Sequence, residues 1–557
     1  MKWFTRLFIL LAAACATADA QTAVAPSAGD GSKDDPYLIS SLENLYWIAA
    51  DDYSTVPIPS QADRWSAHYR QTTNINAAAT LSWSGGWTPI GNSFLFFSGS
   101  YDGGSFAIDS LYIDRNENEQ GLFGAYNGAD TIKELAVTHV RITSSSGSYI
   151  GAVVGYIIQG NVIGCSSSGT ITANWGVGGV IGYTEEPVKV KYCSSSCTVN
   201  GYDYVGGLLG LGQYLTMEFC HASGIVSGHD NVGGMIGVIG SYSNVTSCYA
   251  NGSVTGTNEN AGGLIGNVYY SNILRSYSRA TVQGKWVVGG LVGKNNINGF
   301  IEDCYSHSVV HGVAGIGGLV GENEYAFVMR SYSSDTAYGE AYVGGLVGND
   351  KWGASVVDLS FWNMDSSGLA SSAGGTGLTE AQMMIQSVYT DADWDFVNVW
   401  EMMPGYYPRL RSLPDAALSV ELIGFTAVVK QGRIELKWKT SSEMNNHGFE
   451  VERKNVSGFM SQASSDHASN LKPETTNPDW IRISFVEGAG NSNISHEYSY
   501  LDRSVPAGRY AFRLKQIDRD GKFSYSNVVE VSISETPQAF ALMQNYPNPF
   551  NPATVIN

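Results

Sequence analysis

Cysteine is the residue type in this chain with the most regular spacing, and thiols can do redox, metal-binding or nucleophilic chemistry. Five of the seven cysteines recur at nearly constant intervals: Cys165, Cys193, Cys220, Cys248 and Cys304. Ser276 and Ser331 take the same place in other copies, which fits a small side chain that faces inward. A disulfide scaffold needs pairs, and five is odd. We predict free, buried thiols that react only after unfolding, with Cys197, outside this register, as the candidate exception.

Histidine and serine form no catalytic arrangement that we recognise. His496-Glu497 lacks the second histidine of a zinc-peptidase helix and lies in a predicted strand. His221 and His229 are the closest histidine pair in the repeats, and we predict loop positions for both. No Gly-x-Ser-x-Gly elbow or phosphate-binding loop occurs. We predict no catalytic residue, no cofactor and no enzymatic activity.

Charged residues were considered as metal ligands and as a polysaccharide-lyase groove. The aspartates with suitable spacing are Asp30, Asp34 and Asp35 and, separately, Asp518 and Asp520. Calcium binding is open at both places, but turn formation explains both, so no metal site is predicted. A lyase groove would repeat its cations at one position of the repeat. The cations of this region do not recur in that way: Lys285, Lys294, Arg275 and Arg279.

The composition favours a multidomain all-β protein and excludes several partners. The 557 residues are too many for one core. Glycine is abundant, at 65 residues, and charged residues make up only 15%. The net charge is −19 and no run of lysine or arginine occurs, so neither nucleic acid nor an anionic membrane is an expected partner.

A glycine repeat dominates the middle of the chain. The motif Gly-Gly-apolar-apolar-Gly begins at Gly178, Gly206, Gly233, Gly262, Gly289, Gly317 and Gly344, after a variant at Gly151. Successive starts lie 27 to 29 residues apart. The short, β-branched, glycine-bounded segments predict strands, and a unit this small must stack on its neighbours to bury its apolar face. The predicted fold is a β-helix or β-solenoid of about eight repeats, with rod faces that offer repetitive Tyr, Ser and Asn side chains.

Other functions of the glycine motif fit less well. The apolar segments are too short for a membrane-spanning Gly-x-x-x-Gly helix. The segment 176–182 misses the last spacing of a dinucleotide-binding loop, has no helix after it, and is one of eight copies. The motif is therefore interpreted as structural.

The repeat resembles a known bacterial sequence family. Gly-Gly-Leu-Val-Gly followed by Cys-Tyr-Ser, as in 289–293 and 304–306, is similar to the Glug repeat of surface and adhesin-like proteins. The resemblance covers roughly residues 30 to 412 and implies a β-solenoid. Some Glug repeats accompany immunoglobulin-cleaving metallopeptidases, whose catalytic half is absent from this sequence. We assign 21–125 to an N-terminal cap and the start of the solenoid, 126–350 to the repeats, and 351–415 to a C-terminal cap and linker.

Aromatic residues predict how the solenoid ends. A dense group precedes the repeats: Trp47, Trp65, Trp83, Trp87, Phe94, Phe96 and Phe97. We interpret it, with a short helix over Leu42 to Ala50, as the N-terminal cap; a sugar-stacking platform is the alternative. At the other end, Thr379-Glu380-Ala381-Gln382 has capping-box spacing and predicts a short helix. With Trp394 and Trp400 it should close the rod.

Residues 416–535 change to alternating strands. The segments 434–438, 449–453 and 510–514 read as strands, and 518–521 as a hairpin turn. About seven such strands predict a β-sandwich of immunoglobulin or fibronectin type III kind. The segments 438–446 and 514–521 resemble a sandwich module that precedes sorting domains in secreted Bacteroidetes-type proteins.

Both termini predict export. Lys2 and Arg6, a short apolar run and Ala18-Asp19-Ala20 form a signal peptide over 1–20; lipidation at Cys15 is the alternative. Residues 536–557 resemble the opening of the C-terminal sorting domain of the type IX secretion system, so that machinery is the expected partner. Its motif is Asn545, Tyr546, Pro547, Asn548, Pro549, Phe550, Asn551 and Pro552. The family's domain continues for several more strands, so we expect a truncated domain or a fragment.

Three functions remain compatible with the sequence. The favoured one is a secreted protein of the outer-membrane surface, adhesin-like or ligand-binding, with a glycan or a host or matrix protein as ligand and no membrane span. The second is a structural stalk or surface-layer component. The third is a polysaccharide-active β-helix enzyme. An aromatic stripe along the rod would favour the first, a featureless rod the second, and an acidic groove the third.

Overall fold

The computed structural model of the chain divides into two units, Met1–Leu413 and Pro414–Asn557. The residues that it describes are 21–51, 59–334, 336–403, 405–411, 422–430, 432–440, 443–456, 480–492, 496–503, 505–518, 523–526 and 528–533. The predicted signal peptide and the sorting motif over 545–552 lie outside these residues.

A parallel β-solenoid of about 11 turns forms the first unit, which confirms the predicted fold class. The glycine motif marks eight of these turns, and the others lie N-terminal to it, where the repeat is degenerate. Strands of successive turns pair in parallel and in register: Gly178 is opposite Gly206, and Gly206 is opposite Gly233. Each repeat runs through four strand positions, which we call the first to the fourth strand of a turn.

The first and second strands lie before and after the paired glycines. The first strands form a sheet of eight: Ser148–Gly151, Trp175–Gly178, Asp203–Gly206, Asp230–Gly233, Glu259–Gly262, Trp286–Gly289, Ala314–Gly317 and Ala341–Gly344. The second strands are the start of Val154–Ile163, then Ile181–Thr184, Leu209–Gln213, Ile236–Gly240, Ile265–Tyr269, Val292–Asn296, Val320–Glu324 and Val347–Asn349.

The third and fourth strands complete each turn. The third strands are the end of Val154–Ile163, then Val188–Lys191, Leu215–Glu218, Asn244–Thr246, Asn272–Leu274, Phe300–Glu302, Phe327–Met329 and Val356–Asp358. The fourth strands, several of them split in two, are Ser166–Thr172, Ser194–Ser195, Thr198–Asn200, His221–Ala222, Ile225–Gly228, Tyr249–Gly256, Tyr277–Gln283, Tyr305–Ser306, Val309–His311, Tyr332–Ser333, Ala337–Tyr338 and Phe361–Asn363.

Glycine is required where the first and second strands meet, because backbone fills the space of a side chain there. A methyl group on Gly262 would lie 1.9 Å from the carbonyl oxygen of Ile265. One on Gly263 would lie 2.1 Å from the carbonyl oxygen of Gly290, in the next turn. Both distances are far below van der Waals contact, so the motif records close packing within and between turns.

The repeating cysteines form one interior column, as predicted. Cys193 and Cys220 donate their backbone N–H groups to the sulfur of the next cysteine, each over 3.4 Å. Where the next residue is serine the same bond goes to its hydroxyl: Cys304 N–H reaches Ser331 Oγ over 3.1 Å. All six cysteines of the described residues are buried and free, Cys197 included.

The N-terminal turns carry the predicted aromatic cap. Their strands are Tyr37–Ile39, His68–Gln71, Ile75–Asn76, Ser100–Asp109, Tyr112–Asp114 and Phe123–Thr143, with helices Leu42–Ala49 and Gln61–Ser66 and a 3-10 helix over Ala78–Ser82. Trp47, Trp65 and Trp87 are buried. Buried rings cannot stack on a sugar, so the sugar-platform alternative is wrong for them. Phe94 departs from the group: it is 98% exposed, in a loop where Asn92 Oδ1 accepts from its backbone N–H.

The C-terminal cap contains the predicted capping box, but it packs at a different place on the rod from the one expected. Its elements are the helices Met364–Ser367, Glu380–Met383 and Gln386–Thr390 and the strands Thr376–Leu378, Trp400–Glu401 and Arg409–Leu410. Thr379 and Gln382 cap the second helix reciprocally. Trp394 and Trp400 were expected to close the end of the rod. Instead, Trp400 packs on Tyr305 and Tyr332 of two successive turns, so it covers the side of the stack.

The second unit consists of two antiparallel sheets of sandwich type. One contains Leu422–Lys430, Arg433–Thr440 and His496–Asp502; the other contains Glu443–Asn455, Ile481–Ser492, Gly508–Asp518, Phe523–Tyr525 and Val529–Ile533. Trp438, Phe449 and Phe512 lie in its core. The three predicted strands are present, and His496 lies in a strand as expected. Residues 519–521 of the predicted hairpin turn lie outside the described residues, while the strands on either side pair antiparallel.

Candidate functional site

Aromatic rings stack along the fourth strands in a column that we call the buried ladder. It comprises His221, Tyr249, Tyr277, Tyr305 and Tyr332. Neighbouring ring centroids lie 4.7 to 5.3 Å apart, and the rings are within 11° of parallel. Parallel, in-register strands impose this arrangement, because each ring projects from the same strand position one turn further on.

The cap covers the C-terminal part of the buried ladder. Tyr277, Tyr305 and Tyr332 are each at most 1% exposed. The Tyr332 hydroxyl donates to the carbonyl oxygen of Pro408 over 2.7 Å, and Trp394 and Trp400 pack on its ring. These tyrosines follow the repeating cysteine or serine and were expected on an open rod face. That expectation is wrong for all three: the cap packs on Tyr305 and Tyr332, and Tyr277 is buried as well.

The two histidines of the repeats differ in position. His221 was predicted in a loop, and the structure places it in the strand His221–Ala222, stacked on Tyr249. Burial lowers the pKa of His221, which favours the neutral ring that stacks in the buried ladder. His229 lies between strands as predicted, with Nδ1 2.9 Å from Asp230 Oδ2.

A second aromatic column, which we call the exposed edge, follows the bend between the second and third strands. Its residues are Tyr214, Tyr242, Tyr270, Ile297, Tyr325 and Trp352, spaced 27 or 28 residues apart. All six are between 40% and 73% exposed. This column was not predicted from the sequence. Its signal is a large apolar residue eight or nine residues after the first glycine of each of the last six motifs, from Gly206 to Gly344.

Backbone geometry explains why the exposed edge is exposed. Tyr214, Tyr242, Tyr270 and Tyr325 have φ between 47° and 62°, the left-handed region that turns the chain sharply. The bends remain bonded in a ladder, with Tyr242 N–H donating to the Tyr270 carbonyl oxygen over 2.8 Å. A rigid backbone thus carries side chains that lack a covering element: the rings of Tyr242 and Tyr270 lie 6.2 Å apart and 51° from parallel.

Neutral polar groups flank the exposed edge on the third strands. Asn272 Nδ2 donates to Asn244 Oδ1 over 2.8 Å, one turn apart. In the turns that follow, the same position of the third strand holds an apolar residue: Phe300, Phe327 and Val356. The rings of Phe300 and Phe327 lie 6.2 Å apart, and Phe327 and Val356 are exposed. The surface therefore offers ring faces and amides, which suit stacking and hydrogen bonding to a neutral ligand. At its C-terminal end Trp352 Nε1 donates to Glu324, which is paired with Lys351.

A shallow depression lies at the N-terminal end of the exposed edge. It has a volume of about 240 Å³ and is lined by Gly128, Gln159, Gly160, Asn161, Lys189 and Tyr214, among others. The register pairs Leu215 with Val188 and Val188 with Gly160, so Pro187 and Gln159 take the place of Tyr214 in the two preceding turns. The exposed column thus ends where small or flexible residues leave a hollow.

A third aromatic group is half-buried and self-contained. Tyr156 and Tyr183 stack at 5.3 Å and 5°, and Tyr149 stacks on both. Burial and then Glu185 raise the pKa of Tyr183 to about 12. The rings cover one another's faces, and the Tyr156 hydroxyl donates to Glu185. This group has less free ring surface than the exposed edge.

The four cations named from the sequence lie at four different places of the turn, as expected. Lys294 is on a second strand, 3.0 Å from Glu322 Oε1 and 2.7 Å from Glu324 Oε2. Arg279 lies over the ring of Tyr277 on a fourth strand. Arg275 is at a bend and Lys285 precedes a first strand. They do not line one groove.

Acidic residues make no metal-binding group within the described ranges. No set of three or more His, Cys, Asp or Glu side chains there could hold an ion. Asp30 instead accepts the backbone N–H of Ser32 over 2.9 Å, the turn considered from the sequence. Asp520 lies outside the described residues. No helix of the described chain is both long and apolar enough to cross a membrane.

Comparisons with known proteins give short matches. Halomucin from Haloquadratum walsbyi is 31% identical over 191 residues, which cover 33% of this chain and 2% of halomucin. A protein described as a Gly-rich membrane protein, from Evansella cellulosilytica, is 30% identical over 133 residues, which cover 23% of this chain and 14% of that protein. The chain thus spans a small part of both. No family model and no solved structure matches.

Proposed function

We propose that this chain is an exported, cell-surface β-solenoid that binds a ligand along its exposed edge and has no catalytic role. The observation that carries the proposal is the column of six large apolar residues, each at least 40% exposed, on one continuous line of bends. Monomeric proteins rarely leave such residues in a contiguous row unless they contact a partner. A purely structural stalk gives no reason for this row.

Export rests on the termini. The signal-peptide pattern over 1–20 and the likeness of 540–554 to a type IX sorting domain support secretion to the outer surface by that machinery. Likeness of the repeats to Glug sequences supports an adhesin-like role. The similarity to a protein described as a membrane protein agrees with a place at the cell envelope.

A ligand array with the purified mature chain tests the binding role. Glycans and extracellular-matrix proteins are presented to three proteins: the wild type, Tyr242→Asn combined with Tyr270→Asn, and the control Tyr342→Asn. Asparagine tolerates the left-handed backbone of these positions, so the variants should fold. Tyr342 is equally exposed, at 68%, but lies on a first strand.

The proposal predicts at least one ligand that the wild type and the control bind and the double variant binds weakly. Binding that is the same in all three proteins, or no binding to any ligand, would contradict it. The second outcome would favour the structural-stalk alternative.

A further inference from the structure

The spacing of the exposed edge indicates the shape of its ligand. In-register parallel strands separate successive turns by about 4.8 Å, so the edge offers one large side chain per rung of that size. This interval is close to the length of one sugar unit in an extended, β-1,4-linked glycan. A helical α-linked glucan curves away from a straight line and would meet few of the six residues.

The chemistry of the edge indicates a neutral ligand. Its own six residues carry no charge, and Asn244 and Asn272 beside it offer amides. The charged groups that contact Trp352 at its far end, Glu324 and Lys351, are paired with each other. Tyrosine and tryptophan faces stack on the C–H faces of pyranose rings, and amides bond to their hydroxyl groups. A polyanion would need a row of cations, and Lys189 is the one cation that lines the depression.

The depression supplies a second, independent observation. Beneath its glycines lies Tyr126, whose side chain is fully buried. A methyl group on Gly160 would lie 2.4 Å from Tyr126 Cε1, and one on Gly128 would lie 3.0 Å from the Tyr126 hydroxyl. Within the described chain neither that hydroxyl nor Asn127 Oδ1, on the adjacent residue, has a hydrogen-bond partner. Both atoms are inaccessible, so a guest in the hollow would bond instead to the side chains that line it, Gln159 among them.

We propose that the exposed edge binds a neutral, extended β-linked polysaccharide, and that one sugar unit occupies the depression above Tyr126. The volume of about 240 Å³ has room for one pyranose ring. The remaining units follow the column from Tyr214 toward Trp352. This inference rests on the proposed function, since it names the ligand class of the same surface.

Calorimetry on the mature full chain tests the ligand class. The probes are hexaoses of β-1,4-linked glucose, mannose, xylose and N-acetylglucosamine, with maltohexaose as the α-linked control and hexagalacturonate as the charged one. We expect at least one β-linked neutral hexaose to bind more tightly than both controls. The Tyr242→Asn, Tyr270→Asn double variant should bind it about tenfold more weakly, and Tyr342→Asn should bind like the wild type.

Gln159→Ala tests the depression separately. Gln159 is exposed, so its removal should leave the thermal midpoint unchanged, while affinity for the hexaose falls severalfold. Unchanged affinity would overturn the assignment of the depression.

Two further outcomes would overturn the ligand class. In the first, maltohexaose or hexagalacturonate binds as tightly as every β-linked hexaose. In the second, none of the six oligosaccharides binds. Array binding of a matrix protein that still depends on Tyr242 and Tyr270 would preserve the proposed function while rejecting the polysaccharide.

Discussion

The buried ladder and the exposed edge are two columns of one solenoid, built largely from the same residue type at the same spacing. In the ladder, Tyr277 and Tyr305 stack at 4.7 Å and 5° and are covered. At the edge, Tyr242 and Tyr270 lie 6.2 Å apart at 51° and are open to solvent. Repetition therefore places a tyrosine in a column without deciding whether the column is core or surface.

The two columns differ in how their rings are arranged and in what packs on them. A strand position holds successive rings parallel, and a flat stack of rings gives Trp394 and Trp400 a surface to pack on. At the exposed edge the rings of Tyr242 and Tyr270 are tilted, so these neighbours do not present one flat face. The ladder thus became a docking surface for the cap, whereas the edge kept its ring faces free.

The largest effect should come from breaking the stack that carries both columns. Gly263→Ala places a methyl group 2.1 Å from the carbonyl oxygen of Gly290, which should cost about 3 kcal/mol or more. The control is Gly256→Ala, whose methyl group would meet only Ala261 Cβ at 3.0 Å before contacts of 3.8 Å. Chemical denaturation followed by circular dichroism measures both. Equal midpoints for the two variants would contradict the packing described for the motif.

Removing one ring from each column separates core from surface directly. Tyr305→Ala should lower the free energy of unfolding by about 3 to 5 kcal/mol, because it opens a cavity between two stacked rings and Trp400. Tyr242→Asn should change it by no more than about 0.5 kcal/mol. The same denaturation experiment compares them. A loss of stability of similar size in both variants would remove the distinction between the columns.

Acid should weaken the covered side of the stack. Burial, then Arg279, lowers the pKa of His307 well below its ordinary value, and Nε2 lies 2.9 Å from the Tyr332 hydroxyl. Above about pH 6.5 this histidine is neutral both folded and unfolded. Below it only the unfolded chain binds the proton, so stability should fall by up to about 1.4 kcal/mol per pH unit for this one group.

The control for this pH effect is on the same turn. His307→Gln should flatten the fall in stability between pH 6.5 and 5, whereas His311→Gln, at an exposed position, should leave it as in the wild type. Denaturation midpoints across that range measure the difference. An unchanged slope in His307→Gln would show that the cap does not bury this histidine.

Among the buried positions, the smallest effect should come from the interior column. Cys304→Ser should cost about 1 kcal/mol or less, because serine occupies the same place elsewhere in the stack. Ser331 Oγ donates to the carbonyl oxygen of Met329 over 2.8 Å, as the Cys304 thiol does to that of Glu302 over 3.1 Å. Chemical denaturation measures the loss in free energy of unfolding. A loss in Cys304→Ser that exceeds the loss in Tyr242→Asn by several kcal/mol would contradict the equivalence of cysteine and serine at this position.

The sequence predicted the structure correctly where the space at a position allows only one kind of side chain. The glycine period predicted the solenoid because a side chain at Gly263 has no space, and the Cys/Ser alternation predicted an interior column. It failed for Tyr332 and Trp400, since their contact joins segments far apart in the chain and leaves no periodic trace. The exposed edge was missed because φ at Tyr242 depends on the bend around it and not on the residue type.

Hydrogen–deuterium exchange of the full chain, with and without the tightest-binding of the β-linked hexaoses, tests the central claim that the exposed edge is the binding surface. The backbone N–H groups of Tyr242 and Tyr270, bonded to the next bend, should exchange more slowly in the complex. Those of Tyr277 and Tyr305 in the buried ladder should exchange at the same rate with and without the sugar. Protection confined to the ladder or to other faces of the solenoid, with none at the bends, would contradict the account.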